Sequence, residues 1–179
     1  MRFREIDVPG AFLIELELRE DDRGFFARTF CCREFAEHDL EPFVAQCNLS
    51  YNRRRGTLRG MHYQAVPGVE AKLVRCIRGA IHDVVVDARP GSPTLGRHAA
   101  VRLDADNRRA LYLAPGLAHG FQTLEDDTEL LYQMSEFYDP ELARGFRHDD
   151  PEVGIDWPLP VTVISERDRG LPPFADREG

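Results

Sequence analysis

The chain has 179 residues, 42% of them hydrophobic and 30% charged, with a formal net charge of −8. That is apolar material enough for one ordinary core and too much for a disordered chain, while the acidic balance excludes a general nucleic-acid binder, which would carry a basic face. No apolar run approaches the ~18 residues of a membrane-spanning helix, and the opening Met1–Asp7 segment is too polar for a signal peptide, so no membrane partner is expected.

From the N-terminus onward the chain reads as short strands cut by Gly, Pro, Asn and Asp. Strands are predicted at Ala11–Leu18 and Gly24–Phe30, followed by one short helix at Cys32–His38, before Pro42. Further strands are predicted at Val44–Tyr51, Thr57–Gln64, Ala71–Ile77 and Ala80–Asp87. The series continues with Ala99–Leu103, Ala110–Leu113, Phe121–Leu124 and Thr128–Met134. After Tyr138 the pattern dissolves into Pro, Asp and Arg, with Trp157 as the residue that anchors this tail. So many strands at close, regular spacing predict an all-β sandwich or barrel. No repeat, linker or low-complexity tract divides the chain, so residues 1–179 are expected to form one domain.

Cys31, Cys32, Cys47 and Cys76 lack metal-ligand spacing, and the adjacent pair makes a poor disulfide framework. Four reduced thiols in a cytoplasmic protein are expected. Lys72 is the only lysine among 23 Lys and Arg residues. A chain that writes Arg everywhere else uses a compact ammonium here, which a guanidinium does not imitate. Period-2 alternation puts Leu58, Gly60, His62 and Gln64 on one face, and Lys72 with Val74 and Cys76. It likewise groups Asp83 with Ile81 and Val85, and Tyr132 with Leu130 and Met134. Any one of these polar groups taken alone reads better as a satisfied core residue. Several converging in an apolar barrel read as a small-molecule pocket. Arg54 and Arg55 read as a solvated turn.

The densest stretch runs Gly56-Thr57-Leu58-Arg59-Gly60-Met61-His62-Tyr63-Gln64. Its counterpart is Ala114-Pro115-Gly116-Leu117-Ala118-His119-Gly120-Phe121. A glycine-bearing strand with a His, then a Pro-Gly turn with another His, is the two-part pattern of a cupin-type jelly roll (a double-stranded β-helix). Metal-binding cupins place two His one residue apart in the first part. Here the second slot is Gln64, and Lys72 in the same interior would repel a cation. Neither a metal nor an organic cofactor is expected.

Together with Asp22-Arg23-Gly24-Phe25-Phe26, Lys72-Leu73-Val74-Arg75, Ser92-Pro93-Thr94, Asp150-Pro151, Trp157-Pro158 and Ser165–Asp168, these motifs resemble the dTDP-4-dehydrorhamnose 3,5-epimerase family over nearly the whole chain. The resemblance implies a metal-free cupin jelly roll with short flanking helices, working as a homodimer on a nucleotide-diphosphate sugar. The implied reaction is epimerisation of the carbons beside the ketone of a 4-keto-6-deoxyhexose. His62 resembles the base and Lys72 the cation that stabilises the enolate, and Tyr132 resembles the acid on the opposite face. Asp168 resembles the carboxylate that orients His62, and Asp83 is a second carboxylate able to serve. Arg23 and Arg59 resemble diphosphate and sugar contacts, a role suited to the guanidinium fork. Phe26 and Tyr138 resemble aromatic groups around the nucleoside, Gln46 and Asn48 polar contacts on the nucleotide side, and His119 a substrate contact. The chain departs from the family at Arg28 and Ala143, where the family usually has Glu. The alternatives left open are a CDP-linked substrate and a single inverted carbon. Two further readings of the same fold are a sugar 3,4-ketoisomerase, which moves the ketone, and a non-catalytic sugar-binding cupin, which needs no base.

Overall fold

The computed structural model describes residues 1–177. Two antiparallel sheets carry the fold. One has six strands in the order β1 (Arg2–Glu5), β2 (Ala11–Glu15), β10 (Ala110–Leu113), β7 (Lys72–Arg78), β12 (Thr128–Met134) and β5 (Gln46–Asn52). The other has five, in the order β13 (Ala143–Gly145), β6 (Leu58–Gln64), β11 (Leu117–Thr123), β8 (Ala80–Asp87) and β9 (His98–Asp104). A separate hairpin joins β3 (Arg19–Asp21) to β4 (Gly24–Phe26). The helices are short: α1 (Cys32–Ala36), α2 (Glu166–Arg169) and a 3₁₀ turn at Phe174–Asp176. This is the all-β, cupin-type jelly roll with short flanking helices that the sequence predicts.

Strands β8, β10 and β12 have the predicted bounds. The strand predicted at Phe121–Leu124 instead begins at Leu117, which places His119 on a strand and not in the preceding turn. The strand predicted at Gly24–Phe30 stops at Phe26, because its only ladder partner is the three-residue β3. Three strands, β1, β3 and β13, have no counterpart in the sequence reading. All are short and largely polar, so alternation is silent there, and the neighbouring strand or hairpin turn brings out their extended form.

Between the sheets lie Val74, Cys76, Ile81, Val85, Leu103, Leu111, Leu113, Phe121 and Leu130, all essentially inaccessible. Burying each side chain of this size contributes ~1.5–3 kcal/mol. The four cysteines are free, and burial pushes the Cys76 thiol up to about 12, so it behaves as a small apolar group. A second cluster, on the outer face of the five-stranded sheet, joins Met61, Tyr63, Val84 and Val86 to Phe146 and Phe174, with Trp157 packed against it. That cluster docks the tail. Trp157 Nε1 donates to the His148 carbonyl at 2.9 Å, and Gln122 exchanges two hydrogen bonds with the Leu159 backbone. Leu58 N–H donates to the Val163 carbonyl at 2.8 Å, so the tail runs along β6.

One feature of β6 corrects the sequence reading. His62 lies opposite His119 and Arg59 opposite Phe121, so three steps on β6 answer two on β11. The extra residue is a β-bulge, and it resets the alternation. Arg59 and His62 therefore face the same interior, whereas the simple period had grouped Leu58 and Gly60 with His62. Gly60 takes φ +131°, and a Cβ there would fall 2.6 Å from the Gly120 Cα. The bulge needs a residue without a side chain.

Candidate active site

Two adjoining cavities, of about 270 and 190 Å³, share His62 and Lys72 as a common wall. The larger is lined from the five-stranded sheet by Arg59, His62, His119 and Phe121. From the six-stranded sheet come Asn48, Ser50, Lys72, Tyr132 and Met134. The smaller adds Gln64, Glu70, Tyr138, Ala143, Arg144 and Arg167.

His62 Nε2 lies 2.8 Å from Asp168 Oδ1, and the Gly60 N–H donates to Asp168 Oδ2 at 3.2 Å. Asp168 is buried in α2, where its own N–H donates to the N-cap Ser165 Oγ at 3.0 Å. Burial pushes the Asp168 carboxyl up, but the hydrogen bonds from His62 and Gly60 outweigh it and hold the group below its usual range. An ionised carboxylate can only accept, so Nε2 carries the His62 proton and the lone pair sits on Nδ1. The imidazole stays 39% exposed, within reach of a ligand.

Asp83, the other carboxylate considered, belongs to a different pair. Its Oδ1 lies 2.7 Å from His119 Nε2, and both residues are buried. His119 in turn packs edge-on against Tyr132, with ring centroids 5.9 Å apart. Burial pushes the Tyr132 phenol well above its ordinary range and the Asp83 charge adds to the rise, so the hydroxyl stays protonated and can donate.

Arg59 Nε donates to Asn52 Oδ1 at 2.8 Å, and Asn52 is itself held through Nδ2 by the Thr128 carbonyl. Gln46 Oε1 accepts the Tyr138 N–H at 3.2 Å, which ties the start of β5 to the segment carrying that half-exposed ring. Arg23 and Phe26 line neither cavity. Both sit on the exposed β3–β4 hairpin, where Arg23 pairs with Asp21 and Phe26 is 73% exposed. Arg28 pairs with Glu34 at 2.8 Å, also away from the cavities, while Ala143 lines the smaller one.

The structure adds residues that the sequence reading missed. Glu70 lies within 2.8 Å of Lys72 Nζ, and two positions upstream of Lys72 the period-2 rule would have found it. Ser50 follows Gln46 and Asn48 at the same period. Asn52 continues that series to the end of β5, while Arg144 and Arg167 had no such signal. Among the described residues, no group of three or more His, Cys, Asp or Glu side chains is placed to hold a metal ion.

A family model described as dTDP-4-dehydrorhamnose 3,5-epimerase matches residues 5–176. The chain is 43% identical to the dTDP-4-dehydrorhamnose 3,5-epimerase of Methanothermobacter thermautotrophicus, covering 98% of this chain and 95% of that one. It is 44% identical to the dTDP-4-dehydrorhamnose 3-epimerase of Streptomyces niveus, over 94% of this chain and 82% of that one. A solved 4-keto-6-deoxy sugar epimerase from the novobiocin gene cluster of Streptomyces spheroides superposes with a TM-score of 0.93. Its identity is 42%, over 98% of this chain and 88% of that one. With the jelly roll and the paired sheets facing one cavity already in view, sequence and fold lead to one conclusion: the chain belongs to the dTDP-4-dehydrorhamnose 3,5-epimerase family.

Proposed function

We propose that the protein inverts C3, C5 or both in a dTDP-linked 4-keto-6-deoxyhexose. The observation that carries this reading is the division of the cavity: a His held by a carboxylate projects from one sheet, and an ammonium and a neutral phenol project from the other. A C–H beside a ketone is weakly acidic. His62 Nδ1 takes that proton, the C–H electron pair moves toward the carbonyl, and the enolate oxygen is stabilised by Lys72. Tyr132 then gives its hydroxyl proton to the opposite face of the carbon, and solvent restores both groups. Arg59 supplies a fork for the diphosphate, His119 and Asn48 contact the substrate, and Gln46 and Tyr138 serve the nucleoside end. Two relatives named as dTDP-sugar enzymes favour dTDP over CDP as the nucleotide.

The proposal takes the chain as one domain working without a metal or organic cofactor. Its support is chemical: each His of the cavity is committed to a carboxylate, and Lys72 brings a positive charge to the place a cation would need. Proton NMR in D₂O with dTDP-4-keto-6-deoxyglucose tests all of this. Deuterium should enter at C3, C5 or both, undiminished by excess chelator, and the carbon labelled identifies the centre inverted. Absence of exchange by folded protein would overturn the proposal, and a ketone that moves to C3 would make it a ketoisomerase.

A homodimer is part of the same proposal. The outer face of the six-stranded sheet exposes Leu49, Tyr51, Ile77 and Leu131, and Arg23 and Phe26 stand clear of their own cavities on the hairpin, available to a second copy. Light scattering should give twice the 20.4 kDa chain mass. A monomeric mass in an active preparation would remove Arg23 and Phe26 from the binding site.

A further inference from the structure

The one lysine of the chain is already paired. Lys72 Nζ lies 2.8 Å from Glu70 Oε1 and 3.4 Å from the His62 carbonyl oxygen, and both ionic side chains are more than nine-tenths buried. Beside a developing enolate, a carboxylate looks counterproductive, because it offsets part of the positive field. Two physical needs explain it. A lysine stem has four rotatable carbons and no fixed geometry of its own, so something must aim it. A buried ammonium without a counter-charge also sheds its proton readily, and a neutral amine does nothing for an enolate.

The carboxylate's own backbone is clamped. Between Glu70 and Lys72, the Ala71 N–H donates to Ser135 Oγ at 2.7 Å, and the Ser135 N–H returns to the Ala71 carbonyl at 3.0 Å. Besides the Glu70–Lys72 pair, the charged and titratable groups around the smaller cavity are His62, Tyr63, Tyr138, Arg144 and Arg167, and among the described residues lining it Glu70 is the one carboxylate. We propose that Glu70 is a positioning residue, which holds Lys72 charged and fixed in the wall between the two cavities. The catalytic part of this inference rests on the epimerase reading given above.

Glu70→Gln keeps the shape and removes the charge. Its turnover in the D₂O exchange assay should fall about tenfold or more, because a mis-aimed donor stabilises little of the enolate charge. KM should stay near the wild-type value, and the alkaline limb of kcat should move to lower pH. Because Lys72 is the only lysine, ¹³Cε-lysine labelling yields one lysine signal, whose titration should move the same way. Glu70→Asp, one methylene shorter, should recover part of both effects, and it serves as the second variant if Glu70→Gln does not fold. Wild-type turnover with an unmoved lysine titration would overturn the proposal. So would equal losses in both variants with the lysine titration unchanged, which mark a merely structural role. Absence of exchange in the wild-type protein would strike the epimerase reading itself, while the lysine titration still decides the pairing.

Discussion

His62→Ala should slow solvent exchange beside the ketone by ~10²–10⁴-fold, the usual range for losing a positioned base. Binding of dTDP should change little, because the base contributes to the transition state more than to the ground state. The fold should tolerate the change. The imidazole is 39% exposed, and it stands at the cavity wall outside the apolar cluster between the sheets. Asp168 loses its main partner but keeps the Gly60 N–H and its place in the capped turn at Ser165. The informative comparison is therefore kcat for exchange against the Kd for dTDP, measured on the same preparation. Near wild-type exchange would mean that His62 is not the base, and would move attention to His119.

Tyr132→Phe should separate exchange from inversion. The ring still packs against His119 and the inter-sheet core, so only the hydroxyl is lost. His62 can still remove a proton, trade it with D₂O and return deuterium to the same face. Inversion should fall by ~10²–10⁴-fold, the loss expected for a general acid, while exchange remains measurable. In D₂O the variant should give labelled but uninverted substrate, where wild-type protein gives both together. Inversion at the wild-type rate would show that the acid lies elsewhere. Loss of both, with dTDP still bound, would make Tyr132 a group that positions the sugar.

Legibility in the sequence followed the regularity of the backbone. Lys72 and Tyr132 lie on strands whose alternation is clean, so period alone set them inside the barrel, whereas His119 falls before the strand predicted at Phe121–Leu124 and reached the site only through its motif. Arg59 shows where period fails. The bulge at Gly60 and Met61 shifts the count by one, and the glycine inside the strand is the one residue-type signal of it. Asp168 comes from a tail with no periodic pattern, held by the Trp157 and Gln122–Leu159 contacts, so its partnership with His62 needed a family resemblance to suggest it. Glu70 was within reach of the period-2 rule but precedes β7, outside the strand that drew attention. Arg23 and Phe26 were legible only by resemblance, and one chain leaves them on a hairpin remote from the cavities.

The carboxylate that orients His62 lies 106 residues further along the chain. The base, the cation and the acid assigned to the chemistry, His62, Lys72 and Tyr132, belong to strands that end by Met134. During synthesis the two sheets can close and the cavity can take shape while the imbalance persists: a base with nothing to steer it. The same separation makes the tail a vulnerable point for the finished protein. A cut between Trp157 and Ser165 would leave Asp168 and Arg167 joined to the site by non-covalent contacts alone.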